Sequence, residues 1–518
     1  MDFSAKKKEI IVYFSSNQSL FSPEYLDLLT NENICQEAYQ FVVAKKPIHQ
    51  LEDFFQTKSK ELSNKQSASM SSQNQNTPNA SSSDNISSTK STFALQTYLD
   101  RIKIIQDYDL IPHKWEVSDF VGYFATRYRQ IEQLLRQRTE LSNIISISPL
   151  KSKKDREQVA IIAIVQKKET TKNGNIIFTV EDQTGDIKVL VNKNNQELFQ
   201  LAQDIVNDEI IGIIGMNGDN ILFANNIIQP NVGLDKEFKK QEEEEYVVFL
   251  SDLHVGSKDY LEGEFNKFLS WINGETGTEK QRHIASKVRY IFIAGDIVEG
   301  IGIYPSQEEE LSITDIFEQY NVAASYIKKI PKNIPIIICA GNHDAVRLSE
   351  PQPKLSKLYA KPFYEMENVV LVSNPSYISI GQTDDFIGFD VLMYHGYSFD
   401  YYAANVDSIR QNGGYDRADL IMKFMLQRRH LAPTYTSTLF IPEKSHDALV
   451  IDLVPDFFIT GHIHKTAVST YRNITTICGS CWQATTSFQE KVGHHPEPAR
   501  VPVVNLKTRK VTILNFES

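Results

Sequence analysis

The sequence predicts an α/β protein, with a C-terminal α/β domain preceded by a small β unit and a short helical module. Three observations carry this. From residue 246 onward, apolar strand-length runs alternate with helical stretches. Between residues 158 and 229, five strand-like runs are punctuated by turn dipeptides. Over residues 1–60 and again over 94–139, apolar residues recur at helical spacing.

Residues 1–60 form the helical module. Ser22-Pro23-Glu24 predicts a helix start, with Ser as N-cap and Pro in the first turn. NENICQEAYQFVVAKK continues the helical spacing until Pro47. Residues 61–93 are rich in Ser, Asn and Gln and hold almost no aromatic residue, so they predict a disordered linker. A third region, 94–235, opens helically. SDFVGYFATRYRQIEQLLRQR sets Phe120, Tyr123, Phe124, Tyr128, Ile131, Leu134 and Leu135 near one face. The runs VAIIAIVQKK, NIIFTVED, DIKVLVNK, EIIGIIGMNG and NILFANNIIQP follow, with Asn173-Gly174, Thr184-Gly185 and Asn217-Gly218 at turns. Five short strands with a helical insert, NQELFQLAQDI, resemble an OB-fold barrel. The charge run KEFKKQEEEE reads as a solvated connector to the last domain, 246–518.

A chain of 518 residues, 41% hydrophobic and 23% charged, has room for two to four globular domains. Its net charge of −11 removes the whole-chain basic footprint of a stand-alone duplex binder. An enzyme that meets phosphate through cations is not excluded, nor is a subunit whose partner supplies the basic groove. The four cysteines are too sparse for a disulfide framework. No apolar run reaches bilayer length, and the N-terminus carries no expected signal peptide, so no membrane role and a cytoplasmic location are expected.

Chemistry gathers where strands end. YVVFL runs into Ser251-Asp252-Leu253-His254, and YIFIA into Gly295-Asp296. IPIIICA runs into Gly341-Asn342-His343-Asp344, VLMY into His395-Gly396, and FFIT into Gly461-His462-Ile463-His464. Open α/β sheets build their sites at such ends. In extended backbone, residues i and i+2 point the same way, so Asp252 and His254 can grip one ion and His462 and His464 can share a cluster. Any one of these is an ordinary turn, but five in this strand context are not. Carboxylate, imidazole and one amide oxygen suit Mn, Fe, Zn or Ni better than Mg or Ca.

These motifs resemble the calcineurin-like metallophosphoesterase superfamily, whose pattern is D-x-H, G-D, G-N-H-D/E, H and G-H-x-H. The resemblance implies a four-layer α/β/β/α sandwich with two divalent metal ions at its apex, Mn2+ foremost. It assigns Asp252, His254, Asp296 and His464 to one ion, and Asp296, Asn342, His395 and His462 to the other. His343 would face the scissile phosphate, with Asp344 orienting it. Longer strings, among them GDIVEGIGIYPSQEEEL and LQRRHLAPTY, resemble the small-subunit family of archaeal D-family DNA polymerases. That implies a 3′→5′ exonuclease, a large catalytic subunit as partner, and DNA with single-stranded 3′ ends as substrate. The rival readings are a catalytically silent polymerase scaffold and a phosphoesterase for proteins or small molecules. Every ligand position is filled, which favours catalysis.

Smaller signals remain. In IHQLEDFF, residues 48–55, Leu51, Phe54 and Phe55 are spaced like a sliding-clamp binding peptide, though the usual leading Gln is Ile48. The alternative is a helix end packed on its own module. Cys478 and Cys481 lack the second pair that a zinc site needs and read as a strand entering a turn. Glu308-Glu309-Glu310 reads as a solvated helix start, and Arg428-Arg429-His430 as a basic patch or a phosphate or partner contact.

Overall fold

The computed structural model describes residues 95–109, 113–153, 156–486, 489–490 and 494–517, with scattered positions between 6 and 58, chiefly 32–46. The chain divides into two compact units, Met1–Ile86 and Ser87–Ser518. The expected helix start at Ser22-Pro23-Glu24 and the expected linker at 61–93 lie outside the described residues.

In the first unit, helix α1 (Glu32–Val43) buries Ile34, Cys35 and Ala38. Leu51 and Phe55 close the same small core, and both are fully buried. Phe54 is half-buried against Phe41, with ring centroids 5.3 Å apart. Leu51, Phe54 and Phe55 thus serve as the module's own packing.

The second unit begins with β1 (Lys103–Gln106), a strand inside a stretch whose pattern predicts helix. Four residues are too few to show a period. Helix α2 (Val117–Arg136) follows, its start held by Glu116 N–H donating to Asp119 Oδ2 at 2.8 Å. Tyr123, Tyr128, Ile131 and Leu135 form its buried stripe, while Val117, Phe120 and Val121 stay exposed. Strands β2 (Gln158–Thr170), β3 (Ile176–Asp182), β4 (Gly185–Val191), β5 (Ile210–Asn217) and β6 (Ile221–Ile228) close into a barrel ordered β2-β3-β4-β6-β5. Helix α3 (Gln196–Gln203) links β4 to β5. Alternation sends Ile161, Phe178, Val180, Val189 and Ile213 into the barrel core.

Two six-stranded sheets follow among the described residues. The first orders β10 (Val369–Leu371), β9 (Ile336–Cys339), β8 (Val288–Ala294), β7 (Tyr246–Leu250), β16 (Arg500–Asn505) and β17 (Val511–Asn515). The second orders β1, β11 (Ser376–Ile380), β12 (Phe389–Met393), β13 (Phe457–Thr460), β15 (Ile474–Cys478) and β14 (Ala467–Tyr471). The pleat divides the side chains of each strand between two cores. Val247, Phe249, Phe292 and Ile337 share one cluster with Ile378, Val391, Phe457 and Ile459 of the second sheet. Their neighbours Val248, Leu250, Ile291 and Ile293 pack with Phe265 and Phe268 of α4 (Glu262–Ile272) and Ala323 and Ile327 of α5 (Ile316–Ile327). In the second sheet, Leu392 and Phe458 pack with Phe399 and Tyr402 of α6 (Phe399–Asn405) and with Ile421 and Met425 of α7 (Ala418–Arg428). Strands β7, β8 and β9 run parallel in register, with Leu250 opposite Ile293 and Ala294 opposite Cys339. Strands β12 and β13 are also parallel.

Two charged stretches are anchored in places: Glu237, Lys240, Glu242 and Glu243 of the run 236–245 are exposed as its composition suggests, but other side chains are not. Lys239 of the run 236–245 is buried and pairs with Asp390 and Asp456, each at 2.9 Å. Lys236 also reaches Asp456, at 2.6 Å, so this run is a strap laid on the second sheet. Arg428, Arg429 and His430 are buried as well. Arg428 pairs with Glu209 beside the barrel at 2.7 Å, Arg429 donates to the carbonyl of Asp452 at 2.8 Å, and His430 meets Asp447 at 3.0 Å. This corrects the reading of Arg428-Arg429-His430 as a patch for phosphate. No helix among the described residues is long and apolar enough to cross a membrane.

Candidate metal centre

Because β7, β8 and β9 are parallel, and β12 parallel to β13, their C-terminal ends bring Asp252, Asp296, Asn342, His395 and His462 toward one place. The backbone there is unusual. Asp252, His254, Asp296, His462 and His464 all adopt positive φ, between 50° and 74°. Non-glycine residues rarely do so, and when they do the surrounding fold must impose it. Gly341 and Gly461 are needed for close approach. A Cβ at Gly341 would strike the Asp296 carboxylate, and one at Gly461 would strike that of Asp252.

The side chains form two adjoining groups. Asp252, His254 and His464 make the first, and Asp296, His395 and His462 the second, each with ligand atoms within 4.8 Å of one another. In the first, His464 Nε2 lies 3.5 Å from Asp252 Oδ1 and 3.0 Å from His254 Nε2. In the second, His395 Nε2 lies 3.0 Å from Asn342 Oδ1 and 3.2 Å from Asp296 Oδ2. Asp296 Oδ2 is also 3.8 Å from His254 Nε2, so this carboxylate stands between the groups. His254, Asp296, Asn342, His462 and His464 line a pocket of about 210 Å3, with His343 on its wall.

The hydrogen bonds of His395 test whether these residues fit a cation. Its Nδ1 lies 2.7 Å from the carbonyl of Ala294, which can only accept, so Nδ1 carries the hydrogen. A neutral His395 would turn the lone pair of Nε2 toward two more acceptor oxygens, so that nitrogen calls for a proton or a cation. His254 is similar: Nδ1 meets Glu299 Oε2 at 2.8 Å and Nε2 points into the cluster. A carboxylate on the far nitrogen of a ligating histidine is how metal sites fix ring orientation. Acceptors converging on acceptors require positive charge between them, so the donor set fits divalent cations. The field agrees. Burial disfavours a charged His395, yet Asp296 and Asp252 push its pKa up to about 10. Burial likewise opposes ionised Asp296, but His395, His343 and His254 hold it well below the carboxylate range.

Asp344 does not orient His343. Its carboxylate accepts from Gly341 N–H at 2.9 Å, Ile297 N–H at 3.3 Å and Tyr320 O–H at 3.0 Å, pinning the loop that carries Asn342. Burial and the neighbouring Asp296 raise its pKa to about 7. His343 is oriented instead by Glu299, whose carbonyl oxygen lies 2.9 Å from Nδ1, while its backbone N–H donates to Asp296 Oδ1 at 2.8 Å. Adjacency in Asn342-His343-Asp344 says nothing about where the third side chain points.

Three functional neighbours escape a reading of the motifs. Glu299 binds His254 through its carboxylate and His343 through its carbonyl, and is itself held by Gln483 and Gln307, each at 3.0 Å. Its position three residues after Asp296 was a usable signal. Asp400 accepts from His462 Nε2 at 3.1 Å, and Gln489 meets His464 Nδ1 at 2.9 Å. Gln489 lies 25 residues beyond His464, and Asp400, though it follows His395 closely, belongs to no recognisable pattern. Glu308 and Glu309 are exposed, on a single 3-10 turn rather than an α-helix. Cys478 and Cys481 are buried free thiols, and Cys478 ends β15.

Strand-end carboxylates, imidazoles and an amide oxygen around one small pocket are the donor set of a metallophosphoesterase domain. Residues 246–466 match the calcineurin-like phosphoesterase family. The chain is 40% identical over 396 residues to the DNA polymerase II small subunit of Methanothermobacter thermautotrophicus, covering 76% of this chain and 79% of that one. It is 37% identical to that of Pyrococcus furiosus, over 77% of this chain and 64% of the other, and 38% identical to that of Archaeoglobus fulgidus, over 75% of each. The chain belongs to the family of archaeal DNA polymerase II small subunits. Among solved structures, an archaeal phosphodiesterase covers 52% of this chain at 12% identity and a TM-score of 0.25, a likeness too slight to carry weight.

Proposed function

We propose that this chain is the small subunit of a heteromeric replicative DNA polymerase, that it works with a large catalytic subunit, and that its metal pocket is a 3′→5′ exodeoxyribonuclease. The observation that carries the reading is the acceptor cluster around Asp296, where His395 Nε2, Asn342 Oδ1 and the carboxylate converge. A scaffold with a dead pocket has no need to keep so many carboxylate, amide and imidazole donors buried together. Asp252, His254, Asp296 and His464 would hold one cation, and Asp296, Asn342, His395 and His462 the other, with Mn2+ the favoured ion. Such a pair supplies an activated water and a clamp on phosphoryl oxygens. The chain's own contribution is orientation. Glu299 fixes the ring of His343, leaving Nε2 as the atom at which a proton is held for the leaving oxygen. Glu299 also fixes His254, so one residue aligns a ligand and a proton donor.

In this reading residues 246–518 are a four-layer α/β/β/α sandwich, supported by the three apolar clusters that separate its sheets and helices. The barrel within 94–235 is an OB-fold, supported by its closed β2-β3-β4-β6-β5 order and by α3 between β4 and β5. It supports the phosphoesterase domain through Arg428 and Glu209. The clamp reading of 48–55 is not carried forward, because Leu51 and Phe55 are core residues. The proposed place of action is the cytoplasm.

The test is hydrolysis by the purified full chain, with and without the large subunit, in Mn2+. A single strand labelled at its 3′ end should lose the label first, and a phosphopeptide should not turn over. Turnover of the phosphopeptide with an intact strand would favour the protein-phosphatase reading.

A further inference from the structure

The metal pocket has a neighbour. A trough of about 840 Å3 adjoins it, and Tyr397 and Asp400 line both. On the pocket side, Tyr397 meets the ring of His462 at 5.8 Å between centroids. Further out lie Tyr401, Tyr435, Phe440 and Phe120. Tyr435 is 45% exposed although its ring lies 5.3 Å from that of Phe440, so it offers a free face on a supported ring. The backbone N–H of Tyr435 donates to Asp208 Oδ2 at 2.9 Å, which anchors the loop.

The lining is aromatic and hydroxylic. It includes no lysine or arginine, and its one carboxylate, Asp400, is engaged by His462. Such a surface cannot bind a phosphate backbone, but it can stack bases, since every base has a π-face. We propose that the trough receives unpaired bases of a single DNA strand, sugar-phosphate outward, with the strand's terminal phosphodiester in the metal pocket. This rests on the nuclease reading and adds the path of its substrate. Continuity with the pocket is what selects a strand over an apolar segment of a protein partner, which would have no reason to end at His462.

The experiment uses the full chain and fluorescence anisotropy in EDTA, so binding is read without catalysis. Dodecameric oligothymidylate should bind more tightly than an abasic oligomer with the same phosphates. Tyr435→Ala should weaken oligothymidylate about tenfold while leaving the salt dependence of binding unchanged. Tyr435→Phe, which keeps the ring, should bind within about twofold of the parent. Equal binding of oligothymidylate and abasic oligomer would overturn the proposal. So would a Tyr435→Ala chain that binds the strand normally but no longer co-purifies with the large polymerase subunit, which would make the trough a protein-docking site. Hydrolysis of bis(p-nitrophenyl) phosphate in Mn2+ judges the pocket separately: its absence would sink the nuclease reading and leave the trough to the binding result.

Discussion

Two buried clusters of ionisable groups in this protein are balanced in opposite ways. At the junction of α2 with the loop before β13, Arg127 pairs with Asp447 at 2.7 Å and donates to the Pro433 carbonyl at 3.1 Å and to Tyr123 Oη at 2.6 Å. His430 Nδ1 accepts from Ala432 N–H at 2.9 Å, so its Nε2–H is free to donate to Asp447, 3.0 Å away. Each nitrogen of Arg127, and Nε2 of His430, has an acceptor from the same chain. In the metal pocket, acceptors meet acceptors across His395, Asn342 and Asp296. A cluster that the chain completes by itself holds the fold together. A cluster left short of positive charge binds a guest. Burial alone does not distinguish them; the count of donors against acceptors does.

That contrast can be broken at either end. His343→Ala removes the group proposed to face substrate without holding an ion. It should lower diester hydrolysis about 10²–10⁴-fold while metal content, read by elemental analysis, stays near the parent's. Arg127→Ala leaves Asp447 buried and unpaired, and should cost about 3–5 kcal/mol in denaturant unfolding with metal binding retained under native conditions. Loss of metal in the first variant, or unchanged stability in the second, would blur the distinction between the two clusters. Glu299→Gln keeps the shape but loses the carboxylate that aligns His254, so calorimetric Mn2+ affinity should fall about 10–100-fold.

The smallest effect is one of pH. Burial first, then Arg127, lowers the pKa of His430 to about 4, against Asp447. As pH falls from about 6.5 toward 4, the unfolded chain takes up a proton that folded His430 refuses. Its contribution is therefore whole above about 6.5 and shrinks below it, and His430→Gln should flatten the dependence of unfolding midpoint on pH over that window.

The elements that build the pocket were legible because each joins a strand period to a polar cluster. The runs YVVFL, YIFIA and FFIT are β7, the end of β8 and β13, and Asp252, His254, Asp296 and His462 follow them as expected. Barrel strands and their turns were legible for the same reason. What was not legible depends on direction and on distant partners. Asp344 sits beside His343 in the chain yet points to Tyr320. Arg428, Arg429 and His430 look like a basic surface because composition cannot reveal that Glu209, 219 residues away, or Asp447, 17 residues on, folds against them. Asp400, though close behind His395, and Gln489 belong to no recognised pattern; only the fold brings them to His462 and His464.

The central claim is that Asp252, His254, Asp296, Asn342, His395, His462 and His464 together take two divalent ions. Elemental analysis of the chain purified in Mn2+ and freed of excess, beside an Asp296→Asn variant, tests it directly. The account predicts two ions per parent chain and a marked loss in the variant, because Asp296 serves both groups. A parent chain with less than one ion, or a variant that keeps both, would contradict it.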